Sequence, residues 1–215
     1  MRPEAYDFWL LDLDGTLVDT EWAYTRRVFD RVGEQLDYRF SDREARALWH
    51  GLVGSRDAYL DRLGFEPVEF WETFHAVEGP QERVAATYLH DDARFVADLE
   101  VPVGVVTHSQ PFLAEPVIEN LDIGDWFDTV VTCSEELGWK PDPTPLEVAM
   151  EQMGVDPAGD GVMVGDADTD VGAGWNAGLD AVHVERHGAC ERGKCVLGDY
   201  RVSSFEDLFV RSAAD

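Results

Sequence analysis

Asp12 and Asp14 stand two residues apart, directly after the apolar run Phe8, Trp9, Leu10 and Leu11 and directly before Gly15 and Thr16. An apolar run without alternation suits a strand buried on both faces of a parallel sheet, and the carboxyl end of such a strand is where open α/β sheets hold ligands. Side chains alternate along a strand, so both carboxylates leave on one side, and Gly15 lets the backbone turn sharply after them. Such a pair binds a cation or divides nucleophile and acid/base roles between its members; Asp and Gly merely ending a strand is the plainer alternative. Three further groups have matching chemistry. Thr107 ends a second apolar run and carries a hydroxyl able to donate to an anionic oxygen. Lys140, before Pro141, is one of two lysines, with Lys194, in a chain whose other basic residues are arginine. A compact ammonium suits a point contact with phosphate or with a carboxylate nucleophile. Gly165, Asp166, Ala167, Asp168, Thr169 and Asp170 follow a third apolar run ending at Val164 and add hard oxygen ligands.

The elements that must position these groups follow from periodicity. After Thr16, Trp22, Val28 or Phe29, Val32 and Leu36 recur at helical spacing. Ser41 and Glu44 form a capping box that starts a second helix near Asp42. Gly51 and Gly54 mark a turn, helical signals resume to Phe74, and Gly79 and Pro80 suggest a linker. No convincing strand is read from Asp19 to Pro80, so this stretch is expected to be a helical insert. From there α/β alternation takes over: a helix from Glu82 to Leu99, broken near Asp91; a strand from Val101 to Thr107, its start confined to the edge of the ladder by Pro102; a helix capped by Ser109. Thr129 to Thr132, Gly161 to Val164 and Ala181 to Val184 read as strands. Pro143 to Met153 and Asp168 to Ala177 read as helices, with Asp168 as the cap of the latter, and Ser203 to Phe209 reads as a last small helix. Repeated strand-helix units predict a doubly wound parallel sheet of the α/β class with an inserted small helical cap domain. The expected boundaries are 1–18 and 81–215 for the core and 19–80 for the cap.

Composition narrows the partners. The 215 residues carry a formal charge of -27, which argues against nucleic acid or an anionic membrane. No run approaches the roughly 18 apolar residues that span a bilayer, and no secretory pattern is read at the start, so a soluble cytoplasmic protein is expected. Acidic excess and scarce lysine beside a 45% apolar fraction resemble proteins of salt-accumulating haloarchaea. At molar salt the Debye length is about 3 Å and self-repulsion is largely screened. Cys133, Cys190 and Cys195 are too few for a disulfide framework. Cys190 and Cys195 with His183 and His187 lack the tight spacing of structural zinc sites and read as a surface loop. The aromatic stripe of Trp22, Trp49, Trp71 and Phe74 reads as cap core rather than a sugar platform.

Taken in order, D-x-D-G-T, a strand-terminal Thr, K-P and G-D-x-x-x-D resemble the four motifs of the haloacid dehalogenase superfamily, over essentially the whole span from Phe8 to Val184. The insert after the first motif is similar to the helical cap of one subgroup. The resemblance implies a Mg²⁺-dependent phosphatase acting on a small phosphorylated metabolite. In that reading Asp12 is the nucleophile and a metal ligand, and Asp14 is the acid/base and ligates through its main-chain carbonyl. Asp166 completes the protein's coordination, with Asp170 behind it or ligating through water. Thr107, Lys140 and amides near Leu13, Asp14 and His108 would hold the phosphoryl group. Dehalogenases lack the second carboxylate, so Asp14 argues against dehalogenation. Gly54, Ser55, Arg56 and Asp57 are similar to a cap loop of β-phosphoglucomutase, which makes Arg56 a candidate substrate contact; a solvated arginine at a helix start is the alternative. Tyr24 stands where the mutase carries a cap histidine, and Thr16 where it often has valine, so phosphoglycolate-type phosphatases are the nearer general match. A phosphosugar mutase, or a binding protein on this fold without catalysis, are the alternatives.

Overall fold

Phe8–Leu11 forms β1, four consecutive buried apolar residues, and the main sheet is built outward from it on both sides. On one side it pairs in parallel with β4 (Val103–Thr107), Leu11 opposite Val105; on the other with β6 (Gly161–Gly165), Leu11 opposite Val164. β5 (Thr129–Thr132) lies beyond β4, and β7 (Asp180–Val184) and β8 (Tyr200–Val202) lie beyond β6, all parallel, in the order β5-β4-β1-β6-β7-β8. Chain order reverses at β1, which is the kind of point where a doubly wound sheet opens a crevice at its carboxyl edge. This computed structural model describes residues 5–188, 191–193 and 195–210. Among them no helix is long and apolar enough to cross a membrane.

The sheet needs cover because its central strands are apolar on both faces. α7 (Thr144–Met153) packs on β4 and β5, and α8 (Asp168–Asn176) on β6 and β7. Leu146, Ala149 and Met150 of α7 and Ala173 of α8 share one core cluster with Phe8, Leu10, Val106 and Met163. Gly154 ends α7 in the left-handed region, φ 68°. α6 (Pro111–Asn120) starts with proline in its first turn, and α9 (Glu206–Val210) closes the described chain.

The chain divides into two compact units, Met1–Asp19 with Leu89–Arg186 and Val196–Asp215, and Thr20–Tyr88 with His187–Cys195. The second is helical: α1 (Trp22–Gln35), α2 (Asp42–Trp49), α3 (Arg56–Leu63), α4 (Pro67–Val77) and α5 (Pro80–Ala86). Tyr24, Val28, Phe29, Val32, Leu48, Leu60, Phe70 and Phe74 are its buried core, and Trp22, Trp49 and Trp71 pack against it. Burying a Phe stabilises by roughly 1.5–3 kcal/mol, so this aromatic set is the main support of a small unit. The Ser41–Glu44 capping box is formed, the Ser41 amide donating to Glu44 Oε2 at 2.7 Å and the Glu44 amide to Ser41 Oγ at 3.3 Å.

Several local expectations are corrected. The helix expected from Glu82 to Leu99 with a break near Asp91 is interrupted earlier and by a strand: α5 stops at Ala86, Thr87–Leu89 forms β3, and Asp91–Asp98 is 3-10 helix. β3 makes a two-stranded sheet with β2 (Val18–Thr20), a pair too short to leave a period of two in the sequence. The helical unit extends past Pro80 because α5 belongs to its core: Ala86 is in the cluster, Arg31 grips Glu82 with two 2.8 Å bonds, and Arg83 lies 5.2 Å over the Trp49 ring. It also takes in His187–Cys195, where the Gly193 amide donates to the Leu52 carbonyl at 2.6 Å and the His187 ring lies tilted against that of His50, 4.1 Å between centroids. Burial, with His187 and then Arg46, Arg56 and Arg192, pushes His50 down to about 3, so that ring is neutral at ordinary pH. Of the cysteine-loop residues, His183 is buried in β7 with Nε2 3.3 Å from Glu185, Cys195 is exposed, and Cys190 lies outside the described residues.

Candidate active site

β1 delivers Asp12 one residue beyond its last apolar side chain, and the ladder still holds it there: the Asp12 amide donates to the Val164 carbonyl at 2.9 Å. Its side chain is 9% exposed. The turn that follows is closed by the Leu17 and Val18 amides on the Leu13 carbonyl, at 2.9 and 3.0 Å, and by the Gly15 amide on Val18, at 2.7 Å. Asp14 sits half-buried in this turn, its backbone bridged to Val18. Gly15 has φ +82°, and a Cβ there would lie 2.7 Å from the Asp166 carboxyl carbon, so glycine is required twice over. That close approach seats Asp166, at the end of β6, against the first motif.

Lys140 arrives from the loop between β5 and α7, which fastens itself locally. The Gly138 amide donates to Ser134, Asp142 to Trp139, and Thr144 to Asp142 Oδ1. The Lys140–Pro141 peptide is cis, and Asn176 of α8 donates to the Pro141 carbonyl at 2.9 Å. From there Nζ reaches Asp12 Oδ1, Asp170 Oδ1 and the Val106 carbonyl, each at 2.7 Å. The contacts to Asp12 and Val106 are hydrogen bonds, and the contact to Asp170 is an ion pair. Asp170, on the first turn of α8, gives its other oxygen to the Ala167 amide at 2.9 Å. Asp170 therefore does the capping expected of Asp168, which is the first helical residue, with Ala167 at the cap position. Gly165 makes this possible, since a Cβ on it would lie 2.2 Å from the Asp170 carboxyl carbon.

Asp12, Asp166 and Asp170, all buried, have carboxylate oxygens within 4.8 Å of one another. Like charges at that range repel by about 4 kcal/mol per pair at an effective dielectric of 20. One ammonium against three carboxylates leaves the pocket with two negative charges to balance. Burial, joined by Asp170 and Asp14 and opposed by Lys140, leaves Asp12 pushed up to about 7. Burial also opposes charge on Lys140, but Asp12 and Asp170 outweigh it and hold the ammonium above its ordinary range. A buried set of hard oxygen donors with excess negative charge fits a small divalent cation.

Thr107, last residue of β4 and beside β1, is 1% exposed and accepts the Ser109 amide on its hydroxyl at 3.0 Å, which leaves its proton to donate elsewhere. Ser109 is thus engaged by Thr107, and the cap position of α6 falls on Gln110. The His108 ring meets Trp139 edge-on, 5.5 Å between centroids. Arg56 belongs to the helical unit, where it opens α3 behind the Ser55 cap and donates to the Trp49 carbonyl at 3.1 Å. Two participants carry no sequence signal: the Val106 carbonyl that accepts from Lys140, and Arg186, whose Nη2 donates to the Thr16 carbonyl at 2.8 Å.

The sheet order, the acidic residues gathered after the adjacent strands β1 and β6, and the buried Lys140 ammonium define a doubly wound α/β protein whose ligand site seeks a cation. The chain belongs to the haloacid dehalogenase-like hydrolase family, whose model matches residues 7–178. It is 28% identical over 196 residues to the fructose-1-phosphate phosphatase YqaB of Escherichia coli, covering 84% of this chain and 97% of that one. It is 26% identical over 180 residues to the pyrophosphatase PpaX of Bacillus velezensis, covering 81% of each. Among solved structures, a putative phosphoglycolate phosphatase from Lactobacillus plantarum shares the fold with a TM-score of 0.75 at 20% identity, over 96% of this chain and 99% of that one.

Proposed function

We propose that the protein is a cytoplasmic, Mg²⁺-dependent phosphomonoester hydrolase that works through an aspartyl-phosphate on Asp12. The observation that carries this reading is the triple hold of Lys140 on Asp12, Asp170 and Val106 beside Asp166, a pocket that keeps a carboxylate ready and under-neutralised. Similarity to proteins named as a sugar-phosphate phosphatase and a pyrophosphatase supports a phosphoryl substrate, and their different names support the class rather than one compound.

Lys140 fixes one oxygen of Asp12, leaving the other to attack phosphorus. As the P–O bond to the leaving group breaks, Asp14 gives its proton to the departing oxygen. Asp14, now a carboxylate, takes a proton from water; the resulting hydroxide attacks the acyl phosphate, releasing phosphate and restoring Asp12. Thr107 and amides of the Leu13–Asp14 and His108 segments hold the phosphoryl oxygens. Mg²⁺, held by Asp12, Asp166 and the Asp14 carbonyl, would supply the charge neutralisation and polarisation that the excess of carboxylates demands. Both Asp170 oxygens are engaged, by Lys140 and by the Ala167 amide, which supports its orienting Lys140 and reaching the ion through water. Tyr24, at the mutase's histidine position, is buried in the helical core with its hydroxyl on Glu78 at 3.1 Å, which favours hydrolysis over mutation.

The test is phosphate release from a panel of phosphomonoesters in molar KCl with Mg²⁺. Asp12→Asn is expected to remove at least about a thousandfold of kcat, and EDTA to silence the wild type reversibly. Unchanged turnover in Asp12→Asn would exclude it as the nucleophile.

A further inference from the structure

Arg186 follows β7 and is almost fully withdrawn from solvent, its side chain 9% exposed. Its guanidinium spreads over two acceptors of different kinds: Nη1 donates to Asp92 Oδ2 at 2.7 Å and Nη2 to the Thr16 carbonyl at 2.8 Å, with the Phe205 ring 5.0 Å beneath. Asp92 is equally enclosed, and the same Oδ2 also collects the Ser204 hydroxyl at 2.7 Å and the Phe205 amide at 2.9 Å. Three remote stretches, the first-motif turn, the Asp91–Asp98 3-10 helix and the Ser204–Phe205 bend, therefore meet on one guanidinium and one carboxylate.

The turn shows what the clamp governs. Its inner hydrogen bonds converge on the Leu13 and Val18 carbonyls and use none of the Thr16 carbonyl, which faces Arg186 instead. Asp14 lies two residues before Thr16 inside that turn, half-buried, and its direction depends on how the turn is held. Asp12 is fixed separately by Val164 and Lys140. Breaking the Arg186 contact would thus loosen Asp14 while leaving Asp12 and its ammonium in place.

We infer that Arg186 is a positioning residue: by pinning the Thr16 carbonyl to Asp92 it aims the Asp14 carboxyl at the leaving-group oxygen. This rests on the proposed hydrolase reading, in which Asp14 is the acid. Only a planar fork meets both acceptors at once; a lysine keeps a charge for Asp92 and gives up the carbonyl.

The discriminating measurement is kcat/KM, which covers steps up to departure of the leaving group, on two esters that differ in their need for an acid. An alkyl phosphate leaves as a poor alkoxide and needs the proton; p-nitrophenyl phosphate leaves as a stabilised phenolate and barely does. Arg186→Lys is expected to lose tenfold to a hundredfold on the alkyl ester and less than about threefold on the aryl ester. Arg186→Gln, neutral and shorter, is expected to show the same skewed ratio, and urea unfolding of both confirms that folded protein is being assayed. Equal losses on the two esters, or no loss in either variant, would overturn the assignment as one of general packing. If the wild type hydrolyses neither ester with Mg²⁺, the hydrolase reading itself fails and takes this assignment with it.

Discussion

Lys140 donates to the Asp12 carboxylate and the Val106 carbonyl and pairs with the Asp170 carboxylate, so its value to the protein is electrostatic before it is catalytic. Lys140→Met would leave two buried carboxylates facing each other without their cation. The expected cost is about 3 kcal/mol of stability in EDTA, partly recovered in Mg²⁺ because an ion that binds only the folded state stabilises it by mass action. Urea unfolding with and without Mg²⁺ checks this, and a change below about 0.5 kcal/mol would mean a surface lysine. Asp92 offers a pH prediction. Burial works against its charge, but the Arg186 and Ser204 hydrogen bonds and the Phe205 amide hold it below the usual carboxylate range. A carboxylate whose folded pKa is depressed adds stability in full above its unfolded value, about 3.9, and loses it as pH falls through the lower folded value. Asp92→Asn should therefore be less stable by about 2 kcal/mol at neutral pH, with the gap to wild type closing below about pH 4. A gap that persists undiminished at pH 2.5 would contradict the pairing. Lys140 was legible in the sequence because its residue type is rare there and it precedes proline. Arg186 was not, since a long-range bond to a backbone carbonyl leaves no spacing to read.

Among elements, α2 shows where local chemistry suffices. Ser41 and Glu44 satisfy each other's amides as their spacing implies, and the helix begins at Asp42 as expected. Ser41→Ala is expected to cost about 1 kcal/mol in urea unfolding, and no loss would mean that packing alone holds the helix start. The strands beside the site were legible for a related reason: Phe8–Leu11, Val103–Thr107 and Gly161–Gly165 are apolar runs ended by polar or glycine residues. β2, β3 and β8 were not, being three residues each, too short for any period to show. α8 begins at Asp168 as its spacing implies, but the capping carboxylate is Asp170 rather than Asp168: both are good caps, and Asp170 is the one that also pairs with Lys140, far off in the chain. The assignment of His187–Cys195 to the helical unit was equally hidden, because contacts such as the Gly193 amide on Leu52 and the His187 ring beside His50 leave no spacing to read.

At the scale of the whole chain the governing quantity is charge, -27 over 215 residues. Most of that charge is exposed, so its mutual repulsion is set by the solvent: the Debye length falls from about 10 Å at 0.1 M salt to about 3 Å at 1 M. The pairs that build the site respond differently. Lys140 with Asp12 and Asp170, and Arg186 with Asp92, are enclosed and little screened. Added salt therefore relieves surface repulsion without dissolving the internal pairs, and the two effects do not cancel. The melting temperature is expected to climb by several degrees at least between 0.1 and 2 M KCl and then to level off, since screening saturates once the Debye length is shorter than the spacing between surface charges. KCl suits the test because, unlike sulfate, it does little to strengthen apolar burial, so a rise reports screening. A second arm separates general screening from filling of the acidic pocket: millimolar Mg²⁺ at 0.1 M salt should stabilise wild type but leave Asp166→Asn largely unmoved, while KCl should stabilise both. A melting temperature independent of KCl would show that the acidic surface is tolerated without salt, and would remove the halophilic reading of the composition.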